Sequence, residues 1–158
     1  MAAETKREQV RGTIRAFLPA DAVAATEILR GSPEASQWTE WGLKELLGWR
    51  GVLALVSEVD GKVLGFIIGR QVAGEAEILN LAVMAAKRGR GEGRALLMAA
   101  MDEFRARQVS RVFLEVRESN GTGMAFYEKH GFSKTGRRRG YYHDPDEAAI
   151  VMDIKFVS

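Results

Sequence analysis

The sequence predicts an α/β or α+β domain built on a mixed sheet covered by helices. Three observations carry that expectation. The first half of the chain is patterned as hairpin strands, and the second half alternates strand with helix. The third is size: 158 residues at 46% hydrophobic and 28% charged content can bury one sizeable core. With no internal repeat, low-complexity tract or linker-like break, one domain is expected over residues 11–158, preceded by a flexible segment, 1–10.

From Arg11 to Leu18 the chain alternates weakly and reads as a first strand, after which Pro19, Ala20 and Asp21 open a helix to about Arg30. Gly31, Ser32 and Pro33 stop it. A second helix is expected from Thr39 to Leu47, with Trp41, Leu46 and Leu47 available for a buried face. Val52–Val59 and Lys62–Gln71 flank Asp60-Gly61, the strongest short hairpin signal in the chain, and Ala73-Gly74 marks a second turn. Glu77–Met84 reads as a strand running into the basic glycine segment Arg88-Gly-Arg-Gly-Glu-Gly93. A long helix follows from Arg94 to Arg107, in which Leu96, Leu97, Ala100, Met101 and Phe104 form one apolar stripe. Val112, Leu114 and Val116 then alternate with Phe113 and Glu115, so Glu115 stands on the face opposite the aliphatic one. Ser119-Asn120 caps a helix reaching His130 and ending at Gly131. Strands near 132–142 and 148–156, joined by a turn at Asp144-Pro145-Asp146, close the chain.

Composition narrows the function. A formal charge of +2 and a pI near 9.0 are too mild to make nucleic acid the main partner, yet they accommodate an anionic ligand. The absence of cysteine excludes disulfides, thiol nucleophiles and thiolate metal sites, and His130 and His143 lack metal-ligand spacing. No metal is expected. No apolar run approaches the ~18 residues of a membrane span, so a soluble cytoplasmic protein without membrane contact is expected.

The glycine segment carries the first chemical signal. Lys87, Arg88, Arg90 and Arg94 oppose only Glu92 at the mouth of a helix, where orphan N–H groups and the macrodipole already favour anions. The spacing matches neither the P-loop nor the G-x-G-x-x-G dinucleotide fingerprint, which disfavours ATP and NAD. The second signal is the pair Glu115 and Tyr127, a carboxylate and a phenol that can serve as base and acid. Together they suggest group transfer from a phosphate-bearing donor.

Arg88, Gly91 and Gly93, directly after a strand and before a helix, match the R/Q-x-x-G-x-G/A signature, and the segment resembles the GNAT acetyltransferase superfamily from about Glu77 to Phe156. Within it, Leu114-Glu-Val-Arg-Glu-Ser-Asn120 and Phe126-Tyr-Glu-Lys-His-Gly-Phe132 are similar to segments of RimI-type enzymes, which acetylate the terminal alanine of a small-subunit ribosomal protein. The resemblance implies the acyl-CoA N-acyltransferase fold, with a largely antiparallel central sheet flanked by helices, and acetyl-CoA as cosubstrate. It implies that Leu81, Ala82 and Val83, on a strand splayed from its neighbour, pair with the pantetheine amides. Backbone N–H groups across Gly89, Arg90, Gly91, Glu92, Gly93 and Arg94, after Arg88, would hold the pyrophosphate, and Asn120 would contact the cofactor. Glu115 takes the place of the general base and Tyr127 that of the general acid. The acceptor would be a protein N-terminus, probed by Trp38, Tyr141 and Tyr142 as walls of a peptide groove.

The acid–base logic also stands on its own. A terminal α-amine is roughly 10–15% neutral at pH 7, against well under ~0.1% for lysine, so a weak base such as Glu115 suffices for an N-terminus. Tyr127 is suited to protonate a departing thiolate. Two other readings stay open: a small amine or lysine as acceptor, and a non-catalytic acetyl-CoA-binding or RNA-associated module. Arg137-Arg138-Arg139 is expected to be a solvated basic run.

Overall fold

The computed structural model describes residues 12–143 and 146–156. In chain order it contains β1 (Thr13–Ala16), a 3-10 turn (Pro19–Asp21), α1 (Ala22–Arg30), α2 (Glu40–Leu46), β2 (Val52–Val59), β3 (Lys62–Val72) and β4 (Glu75–Val83). A second 3-10 turn (Ala85–Lys87) leads to α3 (Glu92–Ala106), β5 (Arg111–Arg117), α4 (Gly121–Lys129), β6 (Ser133–Tyr142) and β7 (Glu147–Lys155). The strands form a seven-stranded sheet in the order β1-β2-β3-β4-β5-β7-β6. Every neighbouring pair is antiparallel except β4 and β5, which α3 connects as a parallel crossover. This is the mixed, mostly antiparallel sheet that the alternation of patterns predicts.

Two apolar cores sandwich the sheet. On one face the stripe Leu96, Leu97, Ala100, Met101 and Phe104 of α3 is buried, as its spacing requires, against Ile67, Ile78, Val112 and Leu114, and Tyr127 and Phe132 extend this core toward α4. On the other, α1 and α2 bury Ala25, Leu29, Leu43 and Leu46 against Val56, Phe66 and Ile68. Thr39 caps α2 by accepting from the Gly42 N–H at 3.0 Å, and Lys44 bridges back to Glu40 one turn earlier at 2.9 Å.

Some expectations shift. Trp41 is 72% exposed, and the buried face of α2 is Leu43 and Leu46, a three-residue spacing that leaves Trp41 on the opposite side. The first strand occupies Thr13–Ala16 of the expected span, while Arg11, residues 1–10 and the Asp144-Pro145 part of the last turn lie outside the described residues. Both β4 and α3 begin two residues earlier than their patterns suggest. For α3 the cause is Glu92: its carboxylate, buried in the first turn, accepts from the Gly12 N–H at 3.0 Å and from the Ser57 hydroxyl, tying the helix to β1 and β2.

One irregularity determines the shape of the sheet. Along the β3–β4 ladder Gly69 faces Ile78, but Ile68 faces Asn80, so Leu79 is an extra residue, a β-bulge in β4. Ala76 and Ile78 point to the α3 core before it, whereas Leu81 and Val83 do so after it, with Leu79 and Ala82 turned to the α1–α2 core. The parallel β4–β5 pairing covers only Glu75–Ile78 against Arg111–Leu114 and stops at this bulge. Beyond it the two strands diverge.

Phe104 is fully buried where α3 crosses the sheet. Phe104→Ala is expected to lower the unfolding free energy by about 3–5 kcal/mol in urea titrations; a loss below ~1 kcal/mol would contradict the packing described.

Candidate active site

The divergence of β4 and β5 opens a cleft of about 1110 Å³, lined by both strand edges, the loop before α3 and the start of α4. Strand backbone groups alternate in direction. Since Met84 donates its N–H to Leu64 of β3 at 2.7 Å, Val83 and Leu81 turn theirs to the cleft. An extended molecule with amide groups would find an unpaired β edge there.

At one end the cleft is built for an anion. Gly91 sits at the N-cap of α3 with φ of 86°, a left-handed conformation that strains any residue with a Cβ, and no heavy atom lies within 4 Å of where that Cβ would be. It brings no side chain to cap the helix, so the first-turn N–H groups are left for a ligand. Lys87 and Arg94 line the same end. Arg88 also lines it, but its guanidinium is a strut: it donates to Gly31 O at 2.9 Å, Ser32 Oγ at 2.6 Å and Val83 O at 3.3 Å, and pairs with Glu34 at 3.5 Å. Asn120 caps α4 by accepting from the Gly123 N–H at 2.9 Å. A Cβ on Gly123 would meet its amide at 2.5 Å, which accounts for a glycine in that first turn.

At the other end stand the two titratable groups. The Glu115 side chain is 8% exposed; one carboxylate oxygen takes the Arg138 guanidinium at 3.2 Å, and Oε2 is buried without a partner among the described residues. Tyr127 comes from α4 on the opposite face of the sheet, its ring edge-on to Phe126 and Phe132 at 5.2 and 5.6 Å. Burial raises the ionisation of its phenol well above the usual range, which keeps it a proton donor. Because the cleft passes between the strands, a carboxylate on one face and a phenol on the other line one space. Among the described residues no cluster of acidic, histidine or cysteine side chains could hold a metal, and no helix is long and apolar enough to cross a membrane.

Of the residues singled out in the sequence, Leu81, Ala82, Val83, Arg88, Gly89, Gly91, Glu92, Gly93, Arg94, Asn120, Glu115, Tyr127 and Tyr142 all line this cleft. Arg90, Trp38 and Tyr141 do not. Trp38 packs against the α1–α2 core, while Tyr141 is 46% exposed and edge-on to Tyr142 at 5.1 Å. Tyr142 donates to Glu115 O at 3.4 Å, with Arg117 over its ring at 4.3 Å.

The sequence reading missed Arg138 and Asn80. The run Arg137-Arg138-Arg139 is solvent-exposed, as expected, but two of its members are also paired: Arg137 with Glu118 at 2.8 Å and Arg138 with Glu115 at 3.2 Å. An irregular register between Arg138 and Tyr142 hides from any alternation rule which of them reaches Glu115. Asn80 is buried in the cleft wall and donates to Ser36 O at 2.8 Å, fixing the segment after α1 to β4. Its only sequence signal is an amide inside an apolar strand.

Comparison with known proteins agrees with this fold. The model of the acetyltransferase (GNAT) family matches residues 22–132. The [ribosomal protein bS18]-alanine N-acetyltransferase of Escherichia coli (strain K12) is 41% identical over 97 residues, 60% of this chain and 66% of that protein, so the alignment spans just under two thirds of the relative. The crystal structure of the E. coli ribosomal-protein-S18-alanine N-acetyltransferase superposes with a TM-score of 0.81 at 33% identity, covering 93% of this chain and 95% of that one. Ard1 from Thermoplasma volcanium gives 0.85 at 34%, covering 94% and 100%.

The tyrosines set a pH dependence. Burial first, then the charge of Glu115, pushes the Tyr142 phenol up to about 12, and burial raises Tyr141 and Tyr127 as well. A phenol whose folded value is raised stabilises the fold fully below its unfolded value near ~10 and loses that stabilisation as pH rises through the folded value. Thermal melts are therefore expected to fall between pH 10 and 12, while ultraviolet titration shows the phenols of the native protein ionising at higher pH than those of the unfolded chain. Native phenols that all titrate together with the unfolded ones would contradict the burial of Tyr127 and Tyr142.

Proposed function

The chain belongs to the acetyltransferase (GNAT) family, and from that premise we propose that it moves the acetyl group of acetyl-CoA directly to the N-terminal α-amine of a protein, an alanine-terminated ribosomal protein in the first instance. One observation carries the reading. A single cleft joins a helix N-terminus with free N–H groups to a buried carboxylate oxygen without a partner and a buried phenol. The likeness to enzymes named for acetylating the alanine of bS18 supports the acceptor class.

Acetyl-CoA supplies an activated acyl group on a thiol leaving group. The residues present fit it: the unpaired edge at Leu81 and Val83 suits the amides of an extended arm, and the loop from Gly89 to Arg94 suits a diphosphate. Glu115 removes a proton from the acceptor amine, directly or through water, and its Oε2 is the carboxylate oxygen without a partner among the described residues. Tyr127 returns a proton to the departing sulfur, and its raised phenol stays protonated for the purpose. Tyr142, which lines the cleft beside Glu115, meets the acceptor's first residues in this reading. With no cysteine in the chain, no thiol carries the acyl group, so transfer is direct.

Peptides with free alanine, serine or methionine N-termini, tested beside lysine-bearing peptides with blocked N-termini and polyamines, should be acetylated on the α-amine alone. Activity confined to polyamines or lysine would overturn the acceptor assignment. Glu115→Gln and Tyr127→Phe should each lower kcat about 10²–10³-fold with CoA affinity unchanged by calorimetry. Full turnover in both would refute their roles. Gly91→Val should weaken CoA binding at least about tenfold, since a β-branched residue resists a left-handed backbone at the helix mouth, and unchanged affinity would refute the diphosphate site.

A further inference from the structure

A second carboxylate lies beside Glu115. Glu77 and Phe113 are direct partners in the parallel β4–β5 ladder, and Phe113 and Glu115 are two residues apart on one strand, so Glu77 and Glu115 share a face as diagonal neighbours. Glu77 is half-buried and does not itself line the cleft; it stands behind Glu115, toward the paired end of β4. Among the described residues it has neither hydrogen bond nor ion pair. Arg70, its direct partner on β3, is engaged elsewhere, stacked over Trp49 at 5.0 Å and donating to Arg50 O at 3.2 Å. Arg111 on β5 is held by Asp153 of β7 at 2.6 Å and Glu75 at 3.4 Å. From β6, Arg138 and the neutral phenols of Tyr141 and Tyr142 complete the surroundings. Two carboxylates thus share one guanidinium. Glu115 lines the cleft, and its Oε2 is buried without a partner among the described residues, which is the mark of a missing cation or hydrogen-bond donor.

We propose that Glu77 is a positioning residue acting through Glu115: with Arg138 the two carboxylates leave one unbalanced negative charge, which draws the acceptor N-terminus in as its α-ammonium. This rests on the reading of the site as an N-terminal acetyltransferase. An α-ammonium is the major form of a terminus at neutral pH, so a site that binds it engages most of the acceptor. One of its protons passes to the carboxylate pair before the neutral amine attacks. The C–N bond then forms as the C–S bond breaks, Tyr127 protonates the sulfur, and overall ammonium and thioester become amide, thiol and one proton released to water. Burial and the charge of Glu115 already hinder ionisation of Glu77.

The test compares wild type, Glu77→Gln and Glu77→Asp on an alanine-terminated peptide from pH 5.5 to 9, with acetyl-CoA KM from the same assays. Glu77→Gln should raise peptide KM about three- to tenfold, leave acetyl-CoA KM unchanged, and move the acid limb of kcat/KM to lower pH by about 0.5–1 unit, because the neighbouring anion no longer opposes ionisation. Glu77→Asp should restore part of both effects, and Glu77→Gln should melt no lower than wild type. An active wild type with a Glu77→Gln variant of unchanged peptide KM and pH profile overturns this inference alone. A loss in Glu77→Gln that comes with a lowered melting temperature and a raised acetyl-CoA KM also overturns it, in favour of a structural role. A wild type inactive on free N-termini overturns both it and the functional reading.

Discussion

The structure turns on a strand edge left without a partner. Backbone N–H and C=O groups inside a sheet are almost always paired, and a parallel neighbour lies beside β4 ready to pair with it. Yet β4 and β5 are joined only over Glu75–Ile78 and Arg111–Leu114, because the extra residue Leu79 turns β4 away from that point on. Two separate cores keep the break stable: α3 fastens Leu81 and Val83 from one side, and the α1–α2 layer holds Leu79 and Ala82 from the other. The open edge is a constraint the fold maintains.

A gap through a sheet differs from a hollow on its surface, because residues of both faces reach it. Glu115 belongs to the face shared with Glu77 and Arg138, and Tyr127 to the face covered by α3 and α4, yet both line one cleft. The cleft is also electrically polarised from end to end. Helix N–H groups with Lys87 and Arg94 stand at one end, and a carboxylate with a buried free oxygen at the other. Such a field orients a molecule that carries phosphates at one end and meets an amine at the other. Arg88 shows how easily charge misleads here: a basic residue in a basic loop, it spends its guanidinium holding the loop to the end of α1.

Features with a strong period were legible in the sequence. The α3 stripe, the hairpin at Asp60-Gly61, the strand carrying Glu115 on its polar side and the Asn120 cap all follow from local rules, and they stand where those rules put them. What escaped is what local rules do not encode. The Leu79 bulge is one residue in an otherwise regular apolar strand, and only the register against β3 reveals it. Arg138, exposed on β6, reaches Glu115 across a register that is irregular between Arg138 and Tyr142, and Trp41 is left outside because Leu43 and Leu46 complete the α2 face. Glu92 reads as a loop residue of a basic segment, whereas its carboxylate is a buried anchor between three elements.

Amide hydrogen exchange tests the open edge directly. In the free protein, Leu81 and Val83 should exchange fast while Ala76 and Ile78 are protected, and saturating CoA should slow Leu81 and Val83 by at least about tenfold without altering the paired residues. Leu81 and Val83 protected as strongly as Ile78 before CoA is added, or indifferent to it afterwards, would contradict the account.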